Sequence, residues 1–554
     1  MRKLLFVIIT TILISCSKPN DNQYLSVSEN FLNLPNQSGT VFINISSNCD
    51  WKIISNLDWV IIVPSKGKGN SKVNLLVKSN LNAQAREGVI SVVYKDEIEQ
   101  SNSRNDIFIK QSIPLLEDYN KLIDSIYVHT YDSHGKTDAF GQKAIDYALD
   151  CLGEDFFPTE KGYGWFIKWY QYLEHRDFNS INLLFAWNYY YEIIDKSNKV
   201  IFNINNINIY ENQLNERKYL EAQALFFRAH SYYMLVQLFA ERFNYESGQN
   251  DHLGVPIKNK SNDEPIFRET VANVYKLIKN DLKFAQELLH NNPAVQIFPS
   301  KITLNSIYAI HARVSLTTGD WENASSYAKK AYEGKSLEKD YSYGFDYIST
   351  EWIWGANIPQ TYAHIFDTFF SHIDPYFGGF ASFGNQRVVS LSLYNFMQNS
   401  DIRKKLFINH NNKERVGIKF TGGRGVGNDY LYIKAGEMYL IEAEAEARRL
   451  NDAAAQDALY ALISKRDPAY VKSTLTGEAL IEHILMHRRA DLWGEGQRFL
   501  DIKRLNKGMD RRDLGHNPAQ WNAASNFPAG DKNFVFLIPK QEIDANPNMV
   551  QNPL

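Results

Sequence analysis

The feature that most constrains this chain is a change of hydrophobic period. Between residues 24 and 112 apolar side chains tend to recur at every second position, and from about residue 122 they recur every three or four. The first period buries one face of a strand and the second one stripe of a helix. At 554 residues the chain is also too long for one core. The change of period therefore marks a domain boundary, placed at residues 112 and 113.

Before that boundary the sequence reads as short strands. Val41, Ile43 and Ile45 alternate with polar positions, and further runs lie at 51–53, 59–63, 73–77, 88–94 and 107–109. Pro64, Gly67 and Gly69 form a turn between two of them. Strands so evenly spaced, with Gly, Pro and Asn between them, predict a small all-β immunoglobulin-like sandwich over residues 24–112. Residues 96–106 are a polar insertion, expected as a surface loop.

Beyond it, helical patterns occupy 144–152, 180–196, 216–243, 271–290, 302–318, 321–332, 430–450 and 477–493. They come largely in consecutive pairs, which predicts a TPR-like helical-repeat domain over 113–554 and a mainly α fold overall. At the Leu316–Trp321 junction, Gly319 is suited to end one helix and Asp320 to cap the next. Residues 336–429 interrupt the pattern and are rich in Gly, Tyr, Phe and Asn. A stretch that long inside a domain is functional or has a fold of its own.

The amino terminus carries a targeting signal. Arg2 and Lys3 precede an apolar run at 4–14, too short to cross a bilayer. Leu13-Ile14-Ser15-Cys16 has the shape of a bacterial lipobox. Residues 1–15 are expected to be removed, Cys16 to carry lipid, and 16–23 to serve as a flexible tether. Cys49 and Cys151 lie in different predicted domains, which argues against a disulfide, and neither has metal-ligand spacing.

Charge and composition narrow the function. The balance of 60 basic against 63 acidic residues offers no surplus for nucleic acid. The 13 histidines show no HExxH spacing, and no carboxylate pair stands out among the acidic residues. No catalytic residue, metal or cofactor is expected. The aromatic share is 13%, which suits stacking on sugar rings or peptide side chains as well as filling cores.

Residues 487–504 read as a helix, a glycine break and a second short helix. Gly494 and Gly496 suit positive φ at the break, and Glu495, Arg498, Asp501 and Arg504 alternate in sign three apart, as a ladder in which each pairs with the next. This corner is expected to be structural, with no ligand.

Several motifs carry resemblances. Cys49-Asp50-Trp51, Asp58-Trp59, Asn80, Arg86-Glu87-Gly88 and Ile109-Lys110-Gln111-Ser112 resemble the BACON domain of Bacteroidetes surface proteins. Trp51 and Trp59 are expected in its core. In the second region six blocks resemble the SusD/RagB family in that family's order. They include Leu225-Phe226-Phe227-Arg228-Ala229-His230, Gly254-Val255-Pro256, Glu437-Met438-Tyr439-Leu440 and Ile538-Pro539, together with the glycine corner. His487 and Ala490 depart from the family's charged and long polar residues there.

The SusD/RagB resemblance implies a lipid-anchored outer-membrane protein facing the exterior. It would capture a glycan and deliver it to a SusC-like TonB-dependent transporter, without catalysis. A peptide-binding RagB-like role is the alternative. Ligand residues are then expected in aromatic loops, where ring faces stack on sugar C–H faces and amides or guanidinium groups meet hydroxyls. Two segments qualify: 162–172, with Trp165, Trp169 and Tyr172, and 374–387, with Tyr376, Phe380, Asn385 and Arg387. Trp187, Trp352 and Trp354 are expected to pack in the core.

Overall fold

The computed structural model describes residues 24–554 apart from 81, 83, 95–103, 134, 208, 259–265, 296, 297, 299, 342–345, 363, 421–428, 513, 514, 516–522 and 525. The lipobox with Cys16, and most of the insertion at 96–106, lie outside the described residues. By its internal contacts the chain divides after Leu115.

Among the described residues the first unit holds nine strands in two sheets. One sheet runs in the order Leu25–Val27, Gly39–Ser47, Ser71–Val77, Val60–Val63. The other runs Phe31–Leu34, Arg104–Gln111, Arg86–Tyr94, Asp50–Ser55, Lys66–Lys68. All neighbours are antiparallel except Phe31–Leu34 on Arg104–Gln111. Period-two alternation turns Ile43, Val73 and Leu75 of one sheet and Ile90, Ile107 and Ile109 of the other into one core. Trp51 and Trp59 are buried with them. The predicted turn at 64–69 itself contributes the strand Lys66–Lys68, paired with Asp50–Lys52. Gly67 permits this, because a Cβ there would stand 2.4 Å from the Trp51 indole.

The second unit is mainly α, with all fifteen α-helices found among the described residues. Ile181–Ile201, Leu214–Phe239 and Val271–Leu289 pack in succession, as do Leu304–Thr317, Trp321–Tyr332, Ala435–Arg448 and Asp452–Arg466. Leu214–Phe239 is buried without interruption from Ala222 onward, because apolar residues occur all around it and polar ones such as Arg228 find buried partners. Phe226 meets the Trp354 ring edge-on at 5.0 Å, and truncating so enclosed a ring costs about 3–5 kcal/mol. Gly319 has φ 71°, and the Asp320 side chain accepts from the Asn323 N–H, as the junction predicted. Trp187, Trp352 and Trp354 are buried.

Two expectations need correction. Residues 430–434 are strand and not helix, because Tyr430–Lys434 pairs with Trp352–Ala356 before the helix Ala435–Arg448 begins. The charge ladder of the glycine corner is not continuous. Gly494 and Gly496 do take φ 79° and 76°. However, Glu495 pairs with Lys419 and Lys434, Arg498 with Glu154, and Arg504 with both Asp501 and Glu444. The short helix Arg498–Arg504 excludes Glu495, so packing against other elements decides its partners.

Candidate functional site

The interruption at 336–429 contains four strands and two short α-helices among the described residues. Three of these strands complete a sheet with one from far upstream, in the order Phe156–Pro158, Arg387–Val389, Lys413–Gly417, Phe407–His410. Phe156–Pro158 and Arg387–Val389 are antiparallel, with Pro158 opposite Arg387. The chain leaving Pro158 and the chain arriving at Arg387 therefore lie at one end of the sheet. This brings the two candidate loops together.

Hydrogen bonds lace them. The Thr159 N–H donates to the Gln386 carbonyl at 3.0 Å, and its hydroxyl donates to the Gly384 carbonyl at 2.7 Å. Gly384, at φ 112°, lies so close to Glu160 that a Cβ would stand 2.9 Å from the carboxylate. Glu160 in turn pairs with Lys413 at 3.0 Å.

Phe380 is the centre of an aromatic patch on these loops. Tyr163, Trp165 and Phe366 reach its ring at centroid distances of 5.5, 6.0 and 5.4 Å. Tyr163 is 76% exposed and Phe383, at the same turn as Phe380, is 66% exposed; Trp165 and Phe380 are half-buried. Beneath them His372 stacks on Phe380 at 5.1 Å. Burial pushes this imidazole down to about 3, so it is neutral, and its Nε2 lies 2.9 Å from the Thr137 carbonyl.

A local backbone strain sorts the first loop into surface and core. Phe166 sits in the left-handed region at φ 62°, which costs a non-glycine residue about 1–3 kcal/mol. Its ring is buried 4.5 Å from Tyr147, and that burial holds the conformation. The helix Ile167–Tyr170 starts there and buries Ile167, Trp169 and Tyr170, while Trp165 before it stays half-buried. The Trp165 indole N–H is itself buried and has no partner among the described residues.

The structure places the predicted ligand residues unequally. Trp165 and Phe380 join the patch. Tyr376 is 60% exposed and meets His410 edge-on at 5.0 Å. The other four are buried, which corrects the expectation that they face ligand. Trp169 lies parallel to His175 and against Phe536, because the helix after Phe166 points it into the core. Tyr172, at φ 63°, donates its hydroxyl to the Leu152 carbonyl and packs on Phe527. Asn385 Oδ1 accepts from Arg387 Nη1 at 2.5 Å, and the Arg387 guanidinium lies 5.2 Å from the Tyr147 ring. These two polar groups pair beneath the loop, while the buried Arg387 Nε has no partner among the described residues. Phe366 was not singled out from the sequence. Its signal was the apolar Ile365-Phe366 pair set among polar residues, both of them exposed.

Near the patch, burial raises the Asp374 carboxyl to about 6, while the Tyr376 N–H donates to it at 2.8 Å. Chemically, the arrangement offers accessible ring faces with Glu160 and Lys413 alongside. That suits flat apolar faces bordered by hydroxyls.

Comparison with known proteins agrees with this architecture. Residues 96–316 match a family described as starch-binding and associating with the outer membrane, and residues 385–554 match the SusD family. A SusD-like protein P2 of Formosa agariphila is 24% identical over 424 residues, covering 66% of this chain and 79% of its own. A SusD-like carbohydrate binding protein of Bacteroides vulgatus superposes with a TM-score of 0.66 at 23% identity, covering 78% of this chain and 97% of that one. Surface glycan-binding protein A of Bacteroides thetaiotaomicron, in complex with laminarihexaose, gives 0.59 at 16% identity, covering 79% and 99%.

Proposed function

Because this chain belongs to the SusD/RagB family, we propose that it captures a glycan on the aromatic patch around Phe380 and delivers it to a SusC-like TonB-dependent transporter. The observation that carries this reading is the lacing of two loops 227 residues apart so that Tyr163, Trp165, Phe366 and Phe380 share one accessible surface. Rings held at a surface by hydrogen-bonded loops are pre-ordered, so little conformational entropy is lost when a sugar stacks on them. A glycan is favoured over a peptide by the structural neighbour bound to laminarihexaose. The role is binding without catalysis.

The protein is held at the outer membrane by lipid on Cys16 and faces the exterior. No helix among the described residues is long and apolar enough to cross a membrane. Residues 24–112 form a BACON-like immunoglobulin-like sandwich that acts as a spacer. Its Trp51 and Trp59 are buried and leave no ring face for a sugar.

Calorimetry of the mature protein against glycan and peptide panels tests the reading. Tyr163→Ala with Phe366→Ala is expected to lower affinity for the best glycan at least tenfold. Unchanged affinity in that variant would remove the patch as the site. Selective binding of peptides would move the protein to the RagB-like role, and a chemically altered ligand would make it an enzyme.

A further inference from the structure

A second cavity lies between the helices Leu214–Phe239 and Val271–Leu289, built from elements that take no part in the patch. Its volume is about 650 Å³, within the range of ligand sites. On the first helix Lys218, Glu221, Leu225 and Arg228 recur at helical spacing and face it. On the second, Leu277, Asp281, Phe284 and Leu288 do the same.

The floor is self-contained. Arg228 clamps Asp281 with two hydrogen bonds of 2.7 Å and donates a third to Asn198 at 2.8 Å. That buried pair offers no spare charge to a ligand. Above it one aromatic ring stays open: Phe284 lines the cavity at 54% exposure. The lining also carries Asn280, Asn291, Glu221, Glu287, Lys218 and His290. Glu221 is oriented by Asn205, whose amide donates to it at 2.7 Å.

We propose that this groove is a second carbohydrate site, which takes a neutral oligosaccharide. An open ring, that of Phe284, beside amides and carboxylates matches a pyranose, whose C–H face is apolar and whose hydroxyls both donate and accept. Two carboxylates against one lysine disfavour an acidic ligand. A docked helix would want a continuous apolar stripe, and Lys218, Asn280 and Glu287 interrupt it here. The ligand class rests on the carbohydrate reading of the protein, but the site is separate.

The test starts from the full mature chain with Tyr163→Ala and Phe366→Ala, which disables the patch and leaves the groove intact. Saturation-transfer NMR and calorimetry would use neutral hexasaccharides of glucose, mannose, galactose and xylose. The patch-disabled protein is expected to retain one equivalent of at least one of them. Adding Phe284→Ala and Asn280→Ala is expected to weaken that binding at least tenfold, with an unchanged melting temperature as the control for folding. Phe284→Tyr should restore most of it. If the unaltered protein binds a sugar and the patch-disabled protein binds none, the groove proposal falls and the patch stands. Retained binding unaffected by Phe284→Ala with Asn280→Ala would likewise overturn it. If no hexasaccharide binds even the unaltered protein, both proposals fail.

Discussion

The patch around Phe380 and the corner around Asp491 are both crowded with side chains that interact strongly, and they are built in opposite ways. At the corner Asp491 faces Arg466 at 2.9 Å and Lys434 at 3.2 Å, Glu495 faces Lys419 at 2.6 Å, and Arg466 reaches Glu351 at 2.8 Å. All six are buried. Their opposite charges hold Asp491 and Glu495 below the usual carboxylate range against the pull of desolvation. At the patch the rings pack around Phe380, and Tyr163 and Phe366 stay exposed to solvent. A closed network spends its interactions within the protein, whereas an open one leaves them for a ligand. Function should therefore follow exposure and not the density of conspicuous residues.

The largest effect should come from breaking the closed network. Asp491→Ala leaves Arg466 and Lys434 short of a buried counter-charge, and is expected to cost about 3–5 kcal/mol in denaturant unfolding. The fraction that remains folded should bind ligand as before. Next comes the open region: Tyr163→Ala with Phe366→Ala should weaken glycan binding by about 1.4 kcal/mol or more. Its unfolding midpoint should change little, since both rings are exposed. A pair of variants in which stability and binding move together in both regions would dissolve the contrast.

Asp374 gives a smaller, pH-dependent effect. Its folded value of about 6 lies above that of a free carboxyl, so the native state holds this proton to higher pH than the unfolded chain. Its burial as a charge therefore opposes folding at pH 7, and that penalty is relieved as pH falls through 6 towards 4. Asp374→Asn should gain on the order of 1 kcal/mol at pH 7 after allowing for solvent screening, and lose that advantage near pH 4. Denaturant midpoints across that range check it; an advantage that is flat with pH would show that desolvation of this carboxylate is not the cause. The smallest change is expected from Lys413→Ala. It breaks a solvent-reached pair with Glu160 and should alter stability by less than about 0.5 kcal/mol.

Much of the scaffold was legible because periodicity reports burial directly. The predicted helix 271–290 is Val271–Leu289, and 321–332 is Trp321–Tyr332, complete with the Asp320 cap. The patch was legible only in part. Sequence located both aromatic loops, but whether a ring in 162–172 faces out depends on the left-handed conformation at Phe166, a tertiary effect with no local signature. Polarity misled at Asn385 and Arg387, which read as ligand groups and instead are buried against each other. The strand at 430–434 was hidden because its partner, Trp352–Ala356, lies some distance upstream.

The pairing of Phe156–Pro158 with Arg387–Val389 also sets an order of events. A strand near the start of the helical unit waits for one synthesised more than two hundred residues later. Closing so large a loop is slow, because its entropy is lost before any contact rewards it. The helix pairs on either side can form from neighbouring segments while the patch is still in two halves. The chain would thus acquire its frame first and its capacity to hold a ligand last.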